Sequence, residues 1–385
     1  MSVKKRRTYA TRSDTKTKSV KKRTTPETRS DFFELLHDDI VLYILSKLSS
    51  TASSPSDFIA IRRTCKRFYK LGVHPLVLSK LCSKALAVRA KNWCPDAHQF
   101  LKLCVSYGNI EAYYILGMIL FYCLQNRASG ASMLAKAAVK SHAPSLYSLA
   151  LIQFNGSGGL RNDKDLRAGF ALCGKAASLG HIDALRELGH CFQDGYGVRK
   201  NVQEGRRILV QANAREVAYV LRLYDTPSLS MLSAWRCYSS LHHRNHCQRL
   251  PPTLKNATDF ELFSDYGVNL TDEEIHPANK FMVEWFGSGK EGNLGQELRM
   301  CSYDKCGRPE TRKNEFRRCS GCGKVNYCSR GCQAHDWRVH HKTECAPMDA
   351  WIGHAIDDVE EEDDMIGDVD AMDDQHVQNE EINIS

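Results

Sequence analysis

The sequence predicts a mainly α protein: a short helical unit near the N-terminus, an α-solenoid in the middle, a small two-metal module near the C-terminus, and charged tails. Three observations carry that expectation. Apolar residues recur at three- and four-residue spacing from residue 32 onward, related segments repeat with a period in the thirties, and seven of sixteen cysteines crowd between Cys301 and Cys345. The implied divisions are a basic tail (1–30), the helical unit (31–75), a helical connector (76–104), the repeats (105–216), an unassigned helical or linker stretch (217–300), the metal module (301–345) and an acidic tail (346–385).

The tails account for an uneven charge. Residues 1–30 hold eleven Lys/Arg against two acids, and residues 346–385 hold fourteen acids and no Lys/Arg, so the formal +8 conceals opposed ends. Both are too polar to bury a core and are expected to be disordered. Lys4-Lys5-Arg6-Arg7 and Lys21-Lys22-Arg23 have the form of nuclear-import clusters, which predicts a nuclear or cytoplasmic protein. No aromatic residue interrupts either cluster to stack on bases, so nucleic acid is not the expected partner. The acidic run Asp357–Asp364 is expected to repel nucleic acid and to fold back on the basic body.

The longest apolar run, Ile115–Leu124, is ten residues and contains Gly117, well short of the roughly 18 to 20 residues that cross a bilayer. The N-terminus lacks the apolar centre of a secretory signal, so no membrane partner is expected and the compartment is read as reducing. Clustered cysteines are then metal ligands rather than disulfides. The glycosylation-type triplets Asn256-Ala257-Thr258 and Asn269-Leu270-Thr271 are discounted for the same reason.

In the N-terminal unit, Leu36, Ile40, Ile44 and Leu48, with Val41 and Leu45, form an amphipathic stripe over residues 32–48, and Asp38 or Asp39 can cap its first turn. After a Ser/Thr/Pro break from Ser49 to Ser56, residues 57–71 predict a second helix with Phe58, Ile61, Cys65, Phe68 and Leu71 on one side. The succession Leu36-x-Asp38-Asp39-Ile40-Val41-x-x-Ile44-Leu45-Ser46-x-Leu48, then Cys65-Lys66-Arg67-Phe68-x-x-Leu71, resembles an F-box. It departs from that family in carrying His37 where Pro is usual and in a longer loop. The resemblance implies docking on a Skp-type adaptor of a cullin-based ubiquitin ligase, with Leu36, His37, Ile40, Ile44, Leu45, Leu48, Cys65 and Phe68 facing the adaptor. A unit this small cannot bury all its apolar groups alone, so part of the stripe should remain exposed.

Self-comparison relates segments starting at Gly108, Ser141 and Gly180, which are 33 and 39 residues apart. In a second register Gly130, Gly169 and Gly205 each precede an Ala by seven residues, at Ala137, Ala176 and Ala212. Small residues at fixed helix positions and a period in the thirties mark a stack of helix pairs. The pattern resembles Sel-like repeats, relatives of the tetratricopeptide family, especially Gly180-His181-x-Asp183-Ala184-x-x-x-Leu188-Gly189 followed by Asp194-Gly195-Tyr196-Gly197-Val198. The resemblance implies a concave surface for protein partners; a structural spacer is the alternative. Between repeats and metal module, His242-His243-x-x-His246-Cys247 lacks paired ligand spacing and is read as a polar turn, while Pro277–Phe286 reads as a short aromatic-rich core helix.

Cys301-x4-Cys306, Cys319-x2-Cys322, Cys328-x3-Cys332 and His341-x3-Cys345 supply eight ligand-type residues in four pairs. Zinc takes four thiolate or imidazole ligands in a tetrahedron, so eight fill two sites and leave no position open for catalytic water. Arg308, Lys313, Arg317, Arg318, Lys324 and Arg330 stand near enough to offset the thiolate charge. His340 competes with His341 as a ligand, and His335, without a pair, is read as surface.

The run Phe316-Arg317-Arg318-Cys319-Ser320-x-Cys322-x-x-Val325-x-Tyr327-Cys328-Ser329-x-x-Cys332-Gln333-x-x-Asp336-Trp337 resembles a MYND finger. In that family the pairs interleave. The resemblance therefore implies one Zn2+ on Cys301, Cys306, Cys328 and Cys332, a second on Cys319, Cys322, His341 and Cys345, and a peptide groove to which Gln333 and Trp337 contribute. Trp337 is alternatively core.

Together the modules resemble a plant-type F-box protein with a MYND finger. That resemblance implies a non-catalytic substrate receptor of a ubiquitin ligase, its target protein unidentified. The rival reading is a nuclear scaffold of corepressor type that binds short peptides with no ligase role. MYND fingers also occur in lysine methyltransferases, but the chain has no second half for such a catalytic domain.

Overall fold

A computed structural model describes residues 32–223, 275–287 and 297–346. The basic clusters, the acidic run, both glycosylation-type triplets and the His242–Cys247 set lie outside the described residues. What is described is helical, apart from one two-stranded hairpin in the metal module.

A 3-10 turn (Phe32–Leu35) leads into α1 (Asp38–Thr51). The N-cap is His37, which offers no side-chain bond, so neither Asp38 nor Asp39 is the cap that the sequence suggested. They occupy the first two helical positions, where a carboxylate meets the positive end of the helix. Asp38 also holds Arg67, Oδ1 to Nη2 2.6 Å, clamping the start of α1 to the helical segment that carries Arg67.

The single helix expected over residues 57–71 is two: α2 (Pro55–Arg63) and α3 (Lys66–Leu71). Ser54 and Asp57 form a reciprocal capping box with Pro55 at the first helical position, so α2 begins inside the supposed loop. The break comes at Cys65, whose backbone is extended (φ −153°) and whose Sγ accepts the Phe68 amide at 3.4 Å. A side chain that bonds a nearby amide competes with helix propagation and restarts the helix one turn later.

Of the α1 stripe, Val41, Leu42 and Leu45 turn inward against α4 (Pro75–Leu78), in one core with Leu81, Leu101, Ile115 and Leu116. Leu45 is thus buried and unavailable to an adaptor, which corrects its place among the adaptor-facing residues. Ile40 and Leu48 are exposed, Leu36 and Ile44 half-buried, His37 and Cys65 exposed. Phe68 is half-buried, edge-on to Phe33 at 5.5 Å.

After α5 (Pro95–Ser106) the chain stacks as antiparallel pairs: α6 (Ile110–Met118) with α7 (Arg127–Val139), α8 (Ala143–Asn155) with α9 (Leu166–Ser178), and α10 (Ile182–Asp194) with α11 (Val202–Leu223). The small-residue register is what lets them cross closely. Ala137, Ala176 and Ala212 are each fully buried, and a Cβ on Gly130 would lie 2.6 Å from the Phe121 backbone nitrogen. A π turn (Ile119–Cys123) extends α6 and is entirely buried. The core helix expected near Pro277 is α12 (Pro277–Gly287), whose Ala278, Phe281, Met282 and Trp285 join the core of α5 and α6. Among the described residues no helix is long and apolar enough to cross a membrane.

The crossings predict opposite outcomes for two glycines. Gly130→Ala should cost about 1 to 3 kcal/mol, because its neighbour is backbone and cannot move aside. Gly174→Ala, in α9 with nothing nearer than Leu188 Cδ1 at 3.9 Å, should be neutral or stabilising by about 0.5 to 1 kcal/mol. Urea denaturation of each variant checks the pair.

Candidate metal centre and its docking face

Local structure in the finger is set by turns that bring paired ligands together. The hairpin pairs β1 (Arg317–Arg318) with β2 (Asn326–Tyr327), and between them the Cys319 amide bonds Val325 O while the Gly323 amide bonds Cys319 O. That tight knuckle presents Cys319 and Cys322 on one side. The strand then delivers Cys328, and Ser329 caps α13 (Arg330–Asp336) by accepting the Cys332 amide at 3.0 Å. The first, wider pair is closed by Cys301 N to Arg308 O and Cys306 N to Tyr303 O. Gly307, with φ +70°, lets this loop approach α12 so closely that a Cβ would stand 2.6 Å from the Val283 nitrogen.

Two ligand sets result: Cys301, Cys306, Cys328 and Cys332, all buried, and Cys319, Cys322, His341 and Cys345, buried except for half-buried Cys345. Within each, the donor atoms lie within 4.8 Å of one another. Representative edges are 3.6 Å (Cys306–Cys328), 3.5 Å (Cys328–Cys332), 3.9 Å (Cys319–Cys345) and 3.5 Å (Cys322 Sγ to His341 Nε2). A tetrahedron with metal–sulfur bonds of about 2.3 Å has edges of about 3.8 Å, so both sets fit zinc. Each supplies four ligands from the chain, which makes the two zinc ions structural.

The competition between His340 and His341 is decided by helix geometry. Trp337–His341 is a π turn, which takes up one more residue than an α turn and swings His341, not His340, onto Cys322. His340 is exposed beside Asp336. A three-residue turn, α14 (Lys342–Glu344), then delivers Cys345.

One of the six cations stands directly on a ligand thiolate. Arg308 is buried, with Nη1 3.6 Å from Cys306 Sγ and Nη2 donating to Ser148 Oγ at 3.0 Å. Three others in the proposed set have different partners: Lys313 pairs with Glu297, Arg317 stacks over Tyr196, and Arg330 pairs with Asp194.

Arg308 also reveals what spacing could not, that the finger is docked on the repeats. Finger cysteines, Phe316 and Tyr327 share one core with Leu146, Tyr147, Phe154, Ala176 and Ile208 of the stack. The polar contacts follow the repeat. Ser148 and Glu187 occupy equivalent positions of α8 and α10: Ser148 accepts from Arg308, and Glu187 accepts the Arg330 amide at 2.8 Å. Two turns beyond, equivalent Asn155 and Asp194 meet Cys328 O (2.9 Å) and the Arg330 guanidinium (2.7 Å). Glu187 thereby satisfies the positive N-terminal end of α13, and Arg312 bonds the final carbonyls of α8, Asn155 O and Gly156 O. Gly331 packs against Tyr147, where a Cβ would lie 3.1 Å from Oη.

His335, expected at the surface, instead bonds Asp183 at 2.8 Å and stacks on Tyr303. Burial alone would lower its pKa, but the Asp183 carboxylate outweighs burial and raises it. Arg338 and Arg186 converge on buried Glu216 of α11. Sequence reasoning missed Asp183, Glu187, Asp194 and Glu216; the available signal was that Glu187 and Asp194 stand in repeat columns that hold Ser148 and Asn155 one unit earlier.

Cys319, Ser320, Gly321, Gln333, Trp337 and Cys345 line a cleft of about 220 Å³. Half-buried Trp337 packs edge-on against ligand His341 at 5.8 Å, so it belongs both to the finger's packing and to the cleft.

Fold and site together define a helical-repeat protein with an integral, zinc-held finger. The matched families agree: residues 84–168 match the family described as plant tetratrico peptide repeats, and residues 301–345 match the MYND finger. Two Arabidopsis thaliana proteins, F-box protein At5g50450 and F-box protein At1g67340, are each 56% identical to this chain; the first aligns over 85% of this chain and 89% of its own length, the second over 84% and 83%. The chain belongs to their family. A MYND-type zinc finger protein, samB of Aspergillus clavatus, is 40% identical over 48 residues, 12% of this chain and 8% of that protein. A Sel1 repeat protein from Oxalobacter formigenes, solved by crystallography, is 22% identical with a TM-score of 0.28, covering 30% of this chain and 88% of its own.

Native mass measurement should find two zinc ions in the purified protein. His341→Ala should lose one ion and His340→Ala none. Because the finger shares the core of α8 to α11, removing zinc with a chelator should also lower the melting temperature of the helical signal, by several degrees. The His335–Asp183 contact sets a pH dependence: a raised folded pKa contributes stability that is complete below the ordinary value of 6.5 and is lost as pH rises through the raised value. Hydrogen exchange in α13 should therefore be slower at pH 6 than at pH 8.5 after correction for intrinsic rates, and His335→Ala should abolish the difference.

Proposed function

We propose that the chain is the substrate-recognition subunit of a cullin-based, SCF-type ubiquitin ligase. The N-terminal unit docks on a Skp-type adaptor, and the fused body of repeats and finger presents a target protein. Ubiquitin transfer is left to other subunits, and the place of action is the nucleus, the cytoplasm or both.

The observation that carries this reading is the outer side of α1. Ile40, Tyr43 and Leu48 are 49%, 62% and 41% exposed, with Ile44 half-buried among them, while Val41, Leu42 and Leu45 satisfy the core on the other side. Nearby Leu35 and Ile59 add 73% and 51% exposure. Aliphatic groups left together in water favour a partner that covers them. The names of the Arabidopsis relatives support the same assignment. Since the finger occupies the α8 and α10 face of the stack, a short target segment is received at the outward cleft between Gln333 and Trp337.

A pull-down with purified Skp-type adaptor tests the docking half. Ile40→Asp combined with Leu48→Asp should reduce capture at least tenfold without changing the melting temperature, since both side chains are exposed. Equal capture of variant and wild type removes the ligase role and leaves a peptide-binding scaffold.

A further inference from the structure

Beside the Trp337 cleft lies a second, of about 360 Å³, lined by Arg317, Arg318, Ser320, Arg330 and Gln333. The two share Ser320 and Gln333, so they form one continuous trough with an aromatic end and a cationic end. Arg330 is partly neutralised by Asp194. Arg317 and Arg318 are exposed and form no salt bridge among the described residues; Arg317 lies over Tyr196, its charge also felt by buried Glu187, and Arg318 donates to Asn314. Single arginines on a surface are ordinary. Two without a salt bridge, beside a third at a concave site, form a seat for anionic chain.

The chain carries such an anion, and carries it next to the trough. Cys345 lines the aromatic end, and its Sγ lies 3.9 Å from that of Cys319, the residue that follows Arg318. The forty residues from Ala346 onward hold fourteen acids and no Lys or Arg, seven of the acids falling between Asp357 and Asp364. Asp357 is twelve residues beyond Cys345, a span of up to about 40 Å when extended, so the acidic run easily reaches Arg317 and Arg318. Trp351 and Ile352, between tether and acids, provide apolar groups for the Trp337 end. A tether this short sets an effective concentration of roughly millimolar order, enough for a weak electrostatic contact to be formed most of the time.

We infer that the acidic segment following the finger occupies the finger's own trough, with Asp357–Asp364 on Arg317, Arg318 and Arg330, and that a target must displace it. The inference rests on the reading of the outer trough as a peptide site and not on adaptor docking. It makes target binding sensitive to salt and to the charge of the segment. It also predicts that a target carries an acidic stretch beside an apolar anchor, since it must replace the same contacts.

Fluorescence anisotropy of a labelled peptide of residues 347–372 tests this on full-length proteins in 50 mM salt. Wild type should bind the peptide weakly, because its own segment competes. A variant with the seven acids of residues 357–364 changed to Asn or Gln should bind at least tenfold more tightly. Adding Arg317→Glu and Arg318→Glu to that variant should lose the gain, with Arg317→Gln and Arg318→Gln intermediate, and two bound zinc ions by native mass show that each finger is folded. Equal affinity of wild type and neutralised protein overturns the inference, leaving a site for external acidic peptides only. Binding indifferent to the arginine changes overturns it too and places the peptide elsewhere, as on the basic residues 1–30. Adaptor capture measured on the same proteins should not vary, so failure of the ligase reading is scored separately.

Discussion

The structure depends on how a forty-five-residue segment with few apolar groups holds a fold. Two zinc ions supply part of the answer, since structural zinc binding is worth roughly 10 to 16 kcal/mol in small finger modules. Zinc fixes four points of chain at each site but leaves broad surfaces to be covered. In this protein those surfaces are covered by the helical repeats: Phe316, Tyr327 and the first cysteine set lie in one core with α8 to α11. Buried Arg308 bridges the two, one end against a zinc thiolate and the other on Ser148. Finger and stack are mechanically a single body.

That union turns repeat periodicity into a binding device within the chain. Helices related by the repeat place equivalent residues in register on one face, so a partner that meets Ser148 and Asn155 on α8 meets Glu187 and Asp194 on α10. Two contacts of this interface also answer an electrostatic demand of a helix end. Glu187 meets the amides that open α13, and Arg312 meets the carbonyls that close α8. The face that α8 and α10 share is thereby covered within the chain itself.

At the other end, the N-terminal unit shows a related division of labour. Its helix sends Val41, Leu42 and Leu45 into a core shared with α4 to α6, and α12 returns from more than 170 residues later to seal that core with Phe281 and Trp285. The unit therefore needs none of Ile40, Tyr43 or Leu48 for its own stability. That apolar side is released from structural duty and faces water.

How much was legible in the sequence follows from the range of the interactions involved. Ligand identity, the small-residue register at Gly130/Ala137 and Gly169/Ala176, and the core character of Phe281 and Trp285 were readable, because zinc coordination and helix crossing impose residue types at short spacings. The cap at Ser54 and the break at Cys65 were within local reach but hidden by a continuous apolar pattern that suggested one helix. His341 was favoured over His340 by its four-residue offset to Cys345, but the π turn that carries it onto Cys322 leaves no compositional mark. The same holds for His335, Arg308 and Glu216, whose partners lie 152, 160 and 122 residues away. By itself the sequence determined the parts, namely two metal sites, a helix-pair repeat and an amphipathic helix with an apolar stripe. Only tertiary structure decided that finger and repeats are one body and which side of α1 faces water, because packing of distant surfaces depends on shape and charge in three dimensions, which no single segment encodes.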